Sequence, residues 1–184
     1  MSDAPSGING KSPLPAGRLP GLQVPRMDED SQAFGRELML HGTGDTDALG
    51  ARIAAGLRLG TAVALEGDLG AGKTVLARAI LRALGVEEDV PSPTFTLVQS
   101  YETRNLAVRH YDLYRIEEAG EMEELGLEEA LDEGAALIEW PERAPTYIPE
   151  DALRVRLEIA GENLRRAHLR GPSRWLREFE TPAS

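Results

Sequence analysis

The pattern of apolar and polar positions is most informative in the middle of the chain, where an apolar run, a glycine-rich segment and a helical repeat follow one another. Residues Thr61 to Glu66 form a short, mostly apolar run, which predicts a buried β-strand. From Lys73 to Leu84, large aliphatic residues recur every four positions, which predicts a helix that ends near Gly85. The glycine-rich segment therefore connects a strand directly to a helix.

The same patterns predict a strand and a helix before this unit. Arg36 to His41 is expected to form a strand, followed by a loop at Gly42 to Gly44. Thr46 or Asp47 is expected to cap a helix that runs to about Leu59, because the apolar residues that follow share one helical face.

After the central unit the chain alternates between strands, turns and short helices. Phe95 to Tyr101 and Leu106 to Asp112 are expected to pair as a hairpin, and Glu117 to Asp132 to form one or two short helices. The remaining predicted elements are strands at Ala135 to Glu139, Leu153 to Ile159 and Arg166 to Leu169, and a terminal helix from Pro172 or Ser173. Helices and strands mixed in this order indicate an α/β protein with a mixed central β-sheet.

Composition adds a domain division to this picture. Residues 1 to 30 are rich in Pro, Gly and Ser and show no hydrophobic period, which predicts a disordered leader before one domain at 31 to 184. Hydrophobic residues make up 41% of the chain, which is enough for a core, and no run is long enough to cross a membrane. The absence of cysteine excludes disulfides and leaves the redox compartment open, and with no signal-peptide pattern the expected location is cytoplasmic.

The charge is strongly acidic and unevenly distributed. A net charge of −11 argues against direct binding of DNA or RNA, since phosphate contacts with basic residues supply most non-specific affinity. Nine acidic and no basic residues lie between Glu117 and Glu133, and seven arginines against two acidic residues lie between Ala152 and Arg177. Two interpretations stay open, namely solvated surfaces or a pair of docking surfaces for a protein or RNA partner.

The glycine-rich segment carries the chemistry. Gly67 to Thr74 reads Gly-Asp-Leu-Gly-Ala-Gly-Lys-Thr and matches the phosphate-binding pattern G-x-x-x-x-G-K-[ST]. The glycines let successive N–H groups turn towards phosphate oxygens, and the following helix presents its positive end to the same anion. Lys73 is suited to the β- and γ-phosphates and the Thr74 hydroxyl to Mg²⁺, so the segment predicts binding of ATP with Mg²⁺.

Two acidic residues at predicted strand ends are candidates for the site. Glu139 ends an apolar strand, as a Walker B acid does, and Asp112 ends a less apolar one. Hydroxyls at Ser92, Thr94 and Thr96 lie in a loop that is either a nucleotide-sensing switch or a turn into a strand. A guanine-reading Asn-Lys-x-Asp run is absent from the sequence, which favours ATP over GTP.

Four segments together resemble the TsaE family, also called YjeE, of tRNA threonylcarbamoyladenosine biosynthesis proteins. They are Gly-Asp-Leu-Gly-Ala-Gly-Lys-Thr from Gly67, Ser-Pro-Thr-Phe-Thr-Leu from Ser92, His-Tyr-Asp-Leu-Tyr-Arg from His110 and Glu-Trp-Pro from Glu139. The resemblance covers about Thr43 to Arg170. It implies a small ATPase with a P-loop NTPase-like, three-layer fold that acts with the TsaB and TsaD proteins on position 37 of tRNA, meeting the tRNA indirectly through that complex.

The resemblance also implies roles for individual residues. Asp112 falls on the family's essential Walker-B-like aspartate, and Glu139 and Thr74 on its Mg²⁺ ligands. The implied phosphate contacts are Leu69, Gly70, Ala71, Gly72, Lys73 and Thr74, and the implied further nucleotide contacts are Thr94 and Thr96 in a switch-like segment and Thr43 before the first helix. Arg165 and Arg166 are further candidates for nucleotide contacts, and Arg115 and Arg143 for an arginine finger.

Two other functions use the same loop and stay open at this point. A small-molecule kinase would transfer the phosphoryl group to a metabolite, and a nucleotide-switched interaction module would need no obligatory hydrolysis. A slow, partner-dependent ATPase with Asp112, Lys73 and Glu139 in its catalytic centre is the favoured hypothesis.

Overall fold

The computed structural model describes residues 33–180, so the predicted leader at residues 1–30 lies outside the described residues. Seven strands and four helices follow in chain order: β1 (Ala33–His41), α1 (Gly42–Gly56), β2 (Thr61–Glu66), α2 (Lys73–Ala83), β3 (Val98–Glu102), β4 (Ala107–Asp112), α3 (Leu127–Glu133), β5 (Gly134–Glu139), β6 (Leu153–Gly161), β7 (Leu164–Pro172) and α4 (Leu176–Glu180). Short 3₁₀ turns occupy Ala119–Glu123, Pro141–Arg143, Pro145–Tyr147 and Ser173–Trp175. No helix within residues 33–180 is long and apolar enough to cross a membrane.

The strands form one mixed seven-stranded sheet in the order β1-β7-β6-β2-β5-β4-β3. The four neighbours β6, β2, β5 and β4 run parallel, and β7, β1 and β3 pair antiparallel at the two sides. Strands β2 and β5 are buried almost throughout, which explains their continuous apolar sequences, because a central parallel strand is covered on both faces. The expected mixed α/β sheet is therefore confirmed.

Two hydrophobic cores, one on each face of the sheet, create three layers. Alternate residues of β2 divide between them, with Val63 and Leu65 in the first core and Ala62 and Ala64 in the second. Helices α1, α2 and α4 supply the first core, and α3 with the 3₁₀ turn at Ala119–Glu123 supplies the second. Both cores therefore depend on the same central strands.

Helices α1 and α2 lie in close contact, and a glycine makes this possible. A Cβ added to Gly50 of α1 would lie 2.5 Å from the Cβ of Ala79 in α2. Only a residue without a side chain fits at this distance, so the position of α2 and of the loop before it depends on Gly50.

The start of α1 differs from the sequence prediction. The residues 42 to 44, which were expected to form a loop, already belong to the helix, and neither Thr46 nor Asp47 is its cap. The backbone N–H of His41 donates to Asp45 Oδ2 at 2.7 Å, and the Thr46 hydroxyl donates to the Gly42 carbonyl at 3.2 Å. These side chains bond backwards along the chain, and the helix begins at least five residues earlier than predicted, with His41 as its cap, and ends at Gly56.

The first strand of the hairpin also begins later than predicted. Strand β3 starts at Val98, because Leu97 has a left-handed φ of 62° and its N–H donates to the Pro93 carbonyl in a tight turn. Phe95, which was expected within the strand, is 82% exposed. The predicted hairpin itself is confirmed by the antiparallel pairing of β3 and β4.

Candidate functional site

The glycine-rich loop leaves the end of β2 and enters α2, whose first residue is Lys73. Gly70 and Gly72 have φ values of 79° and 108°, which residues with side chains rarely adopt. A Cβ on Gly67 would lie 2.3 Å from the Leu157 carbonyl oxygen, so this glycine lets the loop pass against β6. The loop is therefore held in a curved conformation at the amino end of a helix, where N–H groups attract anions.

Lys73 is buried, and its ammonium contacts the first residues of this loop. Its Nζ donates to the carbonyls of Gly67 at 2.5 Å and Asp68 at 2.9 Å, and lies 3.6 Å from the centre of the Trp140 ring. Burial lowers the pKa of Lys73 from its usual value, while nearby carboxylates, with Glu139 the strongest, oppose the shift. The ammonium is thus poised beside the loop and surrounded by acidic groups.

Strands β4 and β5 bring the two candidate acids together. The strands are parallel neighbours, and Asp112 and Glu139 are register partners at their carboxyl ends. Both side chains are almost fully buried, at 3% and 2% exposed. Because β2 pairs with β5, the glycine-rich loop leaves the sheet at the same edge. Sheet topology therefore joins three segments that are far apart in sequence.

The Glu139 carboxylate is fixed at both oxygens. Its Oε2 accepts a hydrogen bond from the Thr74 hydroxyl at 2.9 Å, and its Oε1 lies 2.9 Å from His110 Nε2. Thr74 is the second residue of α2, so this bond connects the glycine-rich loop to the end of β5 across 65 residues of sequence.

The Asp112 carboxylate is held by a different set of groups. Its Oδ2 accepts from the Thr94 hydroxyl at 2.7 Å and from the Ser92 hydroxyl at 3.1 Å, and its Oδ1 accepts from the Tyr114 N–H at 3.1 Å. The segment from Ser92 therefore lies beside Asp112, and its role as a nucleotide-sensing switch stays a prediction.

The glycine-rich loop separates two cavities. The first, of about 310 Å³, contains both acids together with Lys73, Thr74 and Thr94. The second, of about 180 Å³, lies on the other side of the loop, between the start of α1 and the connection from β6 to β7. Thr43 lines the second cavity, and Gly70 and Gly72 line both.

The other predicted site residues lie near the loop or away from it. Leu69 and Gly70 line the first cavity and Ala71 the second, whereas Thr96 is exposed and lines neither, so its nucleotide contact stays a prediction. Arg165 lies in the second cavity and donates from Nε to the Ala71 carbonyl at 3.1 Å, which braces the loop. Arg166 instead pairs with Glu37 and Glu158 on another face of the sheet.

The two arginine-finger candidates both lie against aromatic rings. The Arg115 guanidinium is 4.8 Å from the centre of the Phe95 ring, and that of Arg143 is 5.6 Å from the centre of the Tyr114 ring. Neither arginine lines the cavity that holds the acids. The arginine-finger role of both residues stays a prediction.

Sequence reasoning did not identify the partners of two further residues at this site. His110 is hydrogen-bonded, as is usual for a lone histidine on a strand, and its partner is Glu139. Trp140 adopts a left-handed φ of 58° and places its ring against Lys73 and 4.9 Å from the Tyr114 ring. The sequence did contain a signal for His110, because residues 110 and 112 are two positions apart on a strand and so lie on the same face as each other.

The donor set suits Mg²⁺. Thr74, Glu139 and Asp112 offer hard oxygen atoms, and Mg²⁺ in phosphoryl-transfer sites takes one or two protein oxygens together with phosphates and water. No group of three or more His, Cys, Asp or Glu side chains within residues 33–180 is arranged to hold a metal by itself. The site therefore fits a metal that binds together with a phosphate ligand.

Fold and site together define a member of the P-loop NTPase-like class. A model of the TsaE family, described as threonylcarbamoyl adenosine biosynthesis proteins, matches residues 40–167. The chain therefore belongs to the TsaE family, and the predicted resemblance is confirmed.

Individual relatives agree with this assignment. The tRNA threonylcarbamoyladenosine biosynthesis protein TsaE of Rickettsia felis is 41% identical over 129 residues, which cover 70% of this chain and 75% of the relative. The protein of the same description from Bacillus subtilis is 37% identical over 122 residues, covering 66% and 76%. The crystal structure of Bacillus subtilis YdiB superimposes with a TM-score of 0.68 at 27% identity, covering 81% of this chain and 94% of that one.

Proposed function

We propose that the chain binds ATP with Mg²⁺ and hydrolyses it in support of threonylcarbamoyladenosine formation on tRNA. The observation that carries this proposal is the meeting of the glycine-rich loop, Lys73 and the Thr74–Glu139 pair around one cavity. An anion above the loop is stabilised by the N–H groups at the start of α2 and by the Lys73 ammonium. Magnesium, when bound with ATP, neutralises negative charge on the β- and γ-phosphates.

The two cavities suit the two ends of a nucleotide. The cavity with the acids receives the β- and γ-phosphates, since it contains Lys73 and Thr74. The second cavity receives the nucleoside, because it adjoins the loop and is lined by both apolar and polar groups, including Leu157, Thr43 and Asn163. The loop glycines that line both cavities then lie under the phosphates that join the two ends.

Asp112 is the residue we assign to the attacking water. Its carboxylate lies in the phosphate cavity, and three hydrogen bonds from the chain fix its orientation. A carboxylate held in this way accepts a proton of the water and aligns its oxygen with phosphorus. We do not assign Glu139 to the attacking water, because its two carboxylate oxygens contact Thr74 and His110.

The rim of the phosphate cavity supports a partner at this face. Leu69, Val75 and Tyr114 line the cavity and are exposed, Leu69 to 77%, and Phe95, which follows the cavity residue Thr94 in the sequence, is 82% exposed. Exposed apolar residues grouped at one place are typical of a protein interface. We assign this rim to a TsaB–TsaD pair, which supplies groups that complete the site and raise a slow intrinsic rate of hydrolysis.

Reconstitution tests the proposal directly. Formation of threonylcarbamoyladenosine on tRNA is measured with TsaB and TsaD in the absence of this chain, with the chain, and with its Lys73→Ala variant. We expect product only with the unaltered chain, because the variant lacks the ammonium that faces the phosphates. Full product with Lys73→Ala, or with the chain omitted, would refute the function.

ATP hydrolysis measured in parallel separates catalysis from switching. Asp112→Asn should bind ATP as the unaltered chain does and lose hydrolysis, with and without TsaB and TsaD. If this variant still supports repeated turnover of tRNA modification, nucleotide binding alone suffices and the chain is a switched interaction module.

A further inference from the structure

A buried histidine lies behind the Glu139 carboxylate, on the side opposite the glycine-rich loop. His110 is 0% exposed, and its Nε2 is 2.9 Å from Glu139 Oε1, while Glu139 Oε2 accepts from Thr74. The three side chains form a continuous line from the core to the loop. We propose that His110 is a positioning residue that orients Glu139 for metal-dependent nucleotide binding, a role that rests on the proposed function.

The hydrogen-bond arrangement supports one direction for the His110 bond. A carboxylate oxygen accepts, so the ring donates from Nε2. The other nitrogen, Nδ1, is buried and has no hydrogen-bond partner among the described residues. The contact with Glu139 therefore places a proton on Nε2, whichever state Nδ1 has.

The location of this pair explains why orientation matters. Glu139 is 2% exposed, so a buried carboxylate that lost its contact with His110 would keep an unpaired oxygen. Rotation of the side chain would relieve that cost and break the Thr74 contact. Histidine–carboxylate contacts behind a metal ligand tune metal sites in this manner, and their loss typically weakens metal binding by about 10 to 100-fold.

The test compares two substitutions at one position by their Mg²⁺ dependence. His110→Leu removes the donor, and His110→Gln restores an N–H close to the position of Nε2. ATP affinity is measured by titration calorimetry at increasing Mg²⁺ concentrations and in EDTA. We expect His110→Leu to raise the Mg²⁺ concentration for half-maximal affinity by about 10 to 100-fold, His110→Gln to restore most of it, and affinity in EDTA to stay within about twofold.

A matched control comes from a second strand histidine. His168 lies on β7, is partly exposed and pairs with Glu37 and Glu158, so His168→Leu should leave the Mg²⁺ dependence unchanged. An unchanged Mg²⁺ dependence in His110→Leu would overturn the positioning role. Equal losses of affinity with Mg²⁺ and in EDTA would also overturn it, because they indicate a general loss of structure.

The unaltered protein provides a test that does not depend on the folding of variants. The ¹⁵N resonance of His110 Nε2 should shift when Mg²⁺ is added to the ATP complex, because the carboxylate it contacts changes its electronic environment. The resonances of His41 and His168 should stay in place. Mg²⁺-dependent ATP binding without a shift at His110 would refute the role of His110 alone, whereas absence of ATP binding would refute the proposed function.

Discussion

At the scale of a single residue, two opposite effects act on the pKa of Lys73. Burial lowers its pKa, and the carboxylates around it, Glu139 first, raise it again. The net lowering means that the nucleotide-free protein releases this proton at a lower pH than an exposed lysine does. A bound triphosphate stabilises the charged form, so binding must restore the proton wherever it has been lost.

This linkage predicts a pH dependence with a definite sign. ATP affinity should be constant below the lowered pKa of Lys73 and should fall as the pH rises through it, with proton uptake on binding in that range. Titration calorimetry in two buffers of different ionisation enthalpy measures the uptake. Lys73→Arg is the control, because a guanidinium stays charged, and any residual binding by it should take up no proton. Constant affinity across alkaline pH in the unaltered protein would contradict the prediction.

Thr94 offers a second prediction at the residue scale. Its hydroxyl donates to Asp112 Oδ2 at 2.7 Å, and a hydrogen bond to a charged group contributes about 1.5 to 3 kcal/mol. Thr94→Val keeps the shape and removes the donor, so the rate of ATP hydrolysis should fall by about tenfold or more with little change in ATP affinity.

The matched control for Thr94 lies two residues further along. Thr96 is exposed and lines neither cavity, so Thr96→Val should leave the rate of hydrolysis unchanged. The rate of ATP hydrolysis is measured by steady-state kinetics for both variants. An equal loss of rate in Thr96→Val would instead support the sequence-based expectation that both threonines serve the nucleotide.

At the scale of elements, the packing of α1 on α2 gives a prediction about stability. A Cβ on Gly50 would lie 2.5 Å from the Ala79 Cβ, so Gly50→Ala must push the two helices apart. We expect the free energy of unfolding to fall by about 1 to 3 kcal/mol, as overpacked interiors show. ATP affinity should fall as well, since α2 carries Lys73 and Thr74.

Another glycine of the same helix serves as the control. Gly44 has nothing within 4 Å of an added Cβ, so Gly44→Ala should leave stability unchanged or raise it by about 0.5 to 1 kcal/mol. Urea unfolding curves of both variants provide the comparison. Equal destabilisation by the two substitutions would show that helix backbone, and not the contact with Ala79, is the cause.

Elements whose signals are local could be predicted from the sequence. Strand β2, the loop and α2 follow one another, and their periodicities and glycines lie within about 25 residues, so their bounds agree with the structure. The start of α1 could not be predicted, because the side chains of Asp45 and Thr46 bond back to His41 and Gly42. The start of β3 depends on the turn at Leu97, a residue that seldom adopts positive φ.

The candidate site could also be predicted from the sequence only in part. Lys73, Asp112 and Glu139 could be chosen from motif and strand-end position, but their partners depend on which strands are neighbours. His110 meets Glu139 only because β4 and β5 pair in one particular register. Arg165 braces Ala71 from 94 residues away, through the placement of β7 and β6 beside β2. Strand order is a tertiary property, which local patterns do not contain.

At the scale of the whole molecule, the uneven charge along the sequence is partly neutralised in space. Arg154 pairs with Glu66 and Arg166 with Glu37, both far from the basic stretch in sequence, and Arg174 pairs with Asp151 just before it. These pairs favour the interpretation of solvated strand faces for the basic stretch. The exposed apolar rim at the phosphate cavity is therefore the stronger candidate for a partner surface.

The two tryptophans allow a test of how the whole domain unfolds. Trp175 is buried in the core under α1 and α4, whereas Trp140 packs against the other core, beside the site. Because β2 and β5 contribute to both cores, loss of either core exposes one face of the same strands. We expect one cooperative transition in urea, as in most single domains of this size.

Single-tryptophan variants separate the two signals. In Trp140→Phe only Trp175 reports, and in Trp175→Phe only Trp140 does, so fluorescence follows one core at a time. Within each variant the fluorescence midpoint should equal the midpoint from far-ultraviolet circular dichroism, even where the substitution lowers stability. A Trp140 transition that precedes the loss of secondary structure would show that the layer beside the site opens independently, and the shared strands would then not couple the two cores.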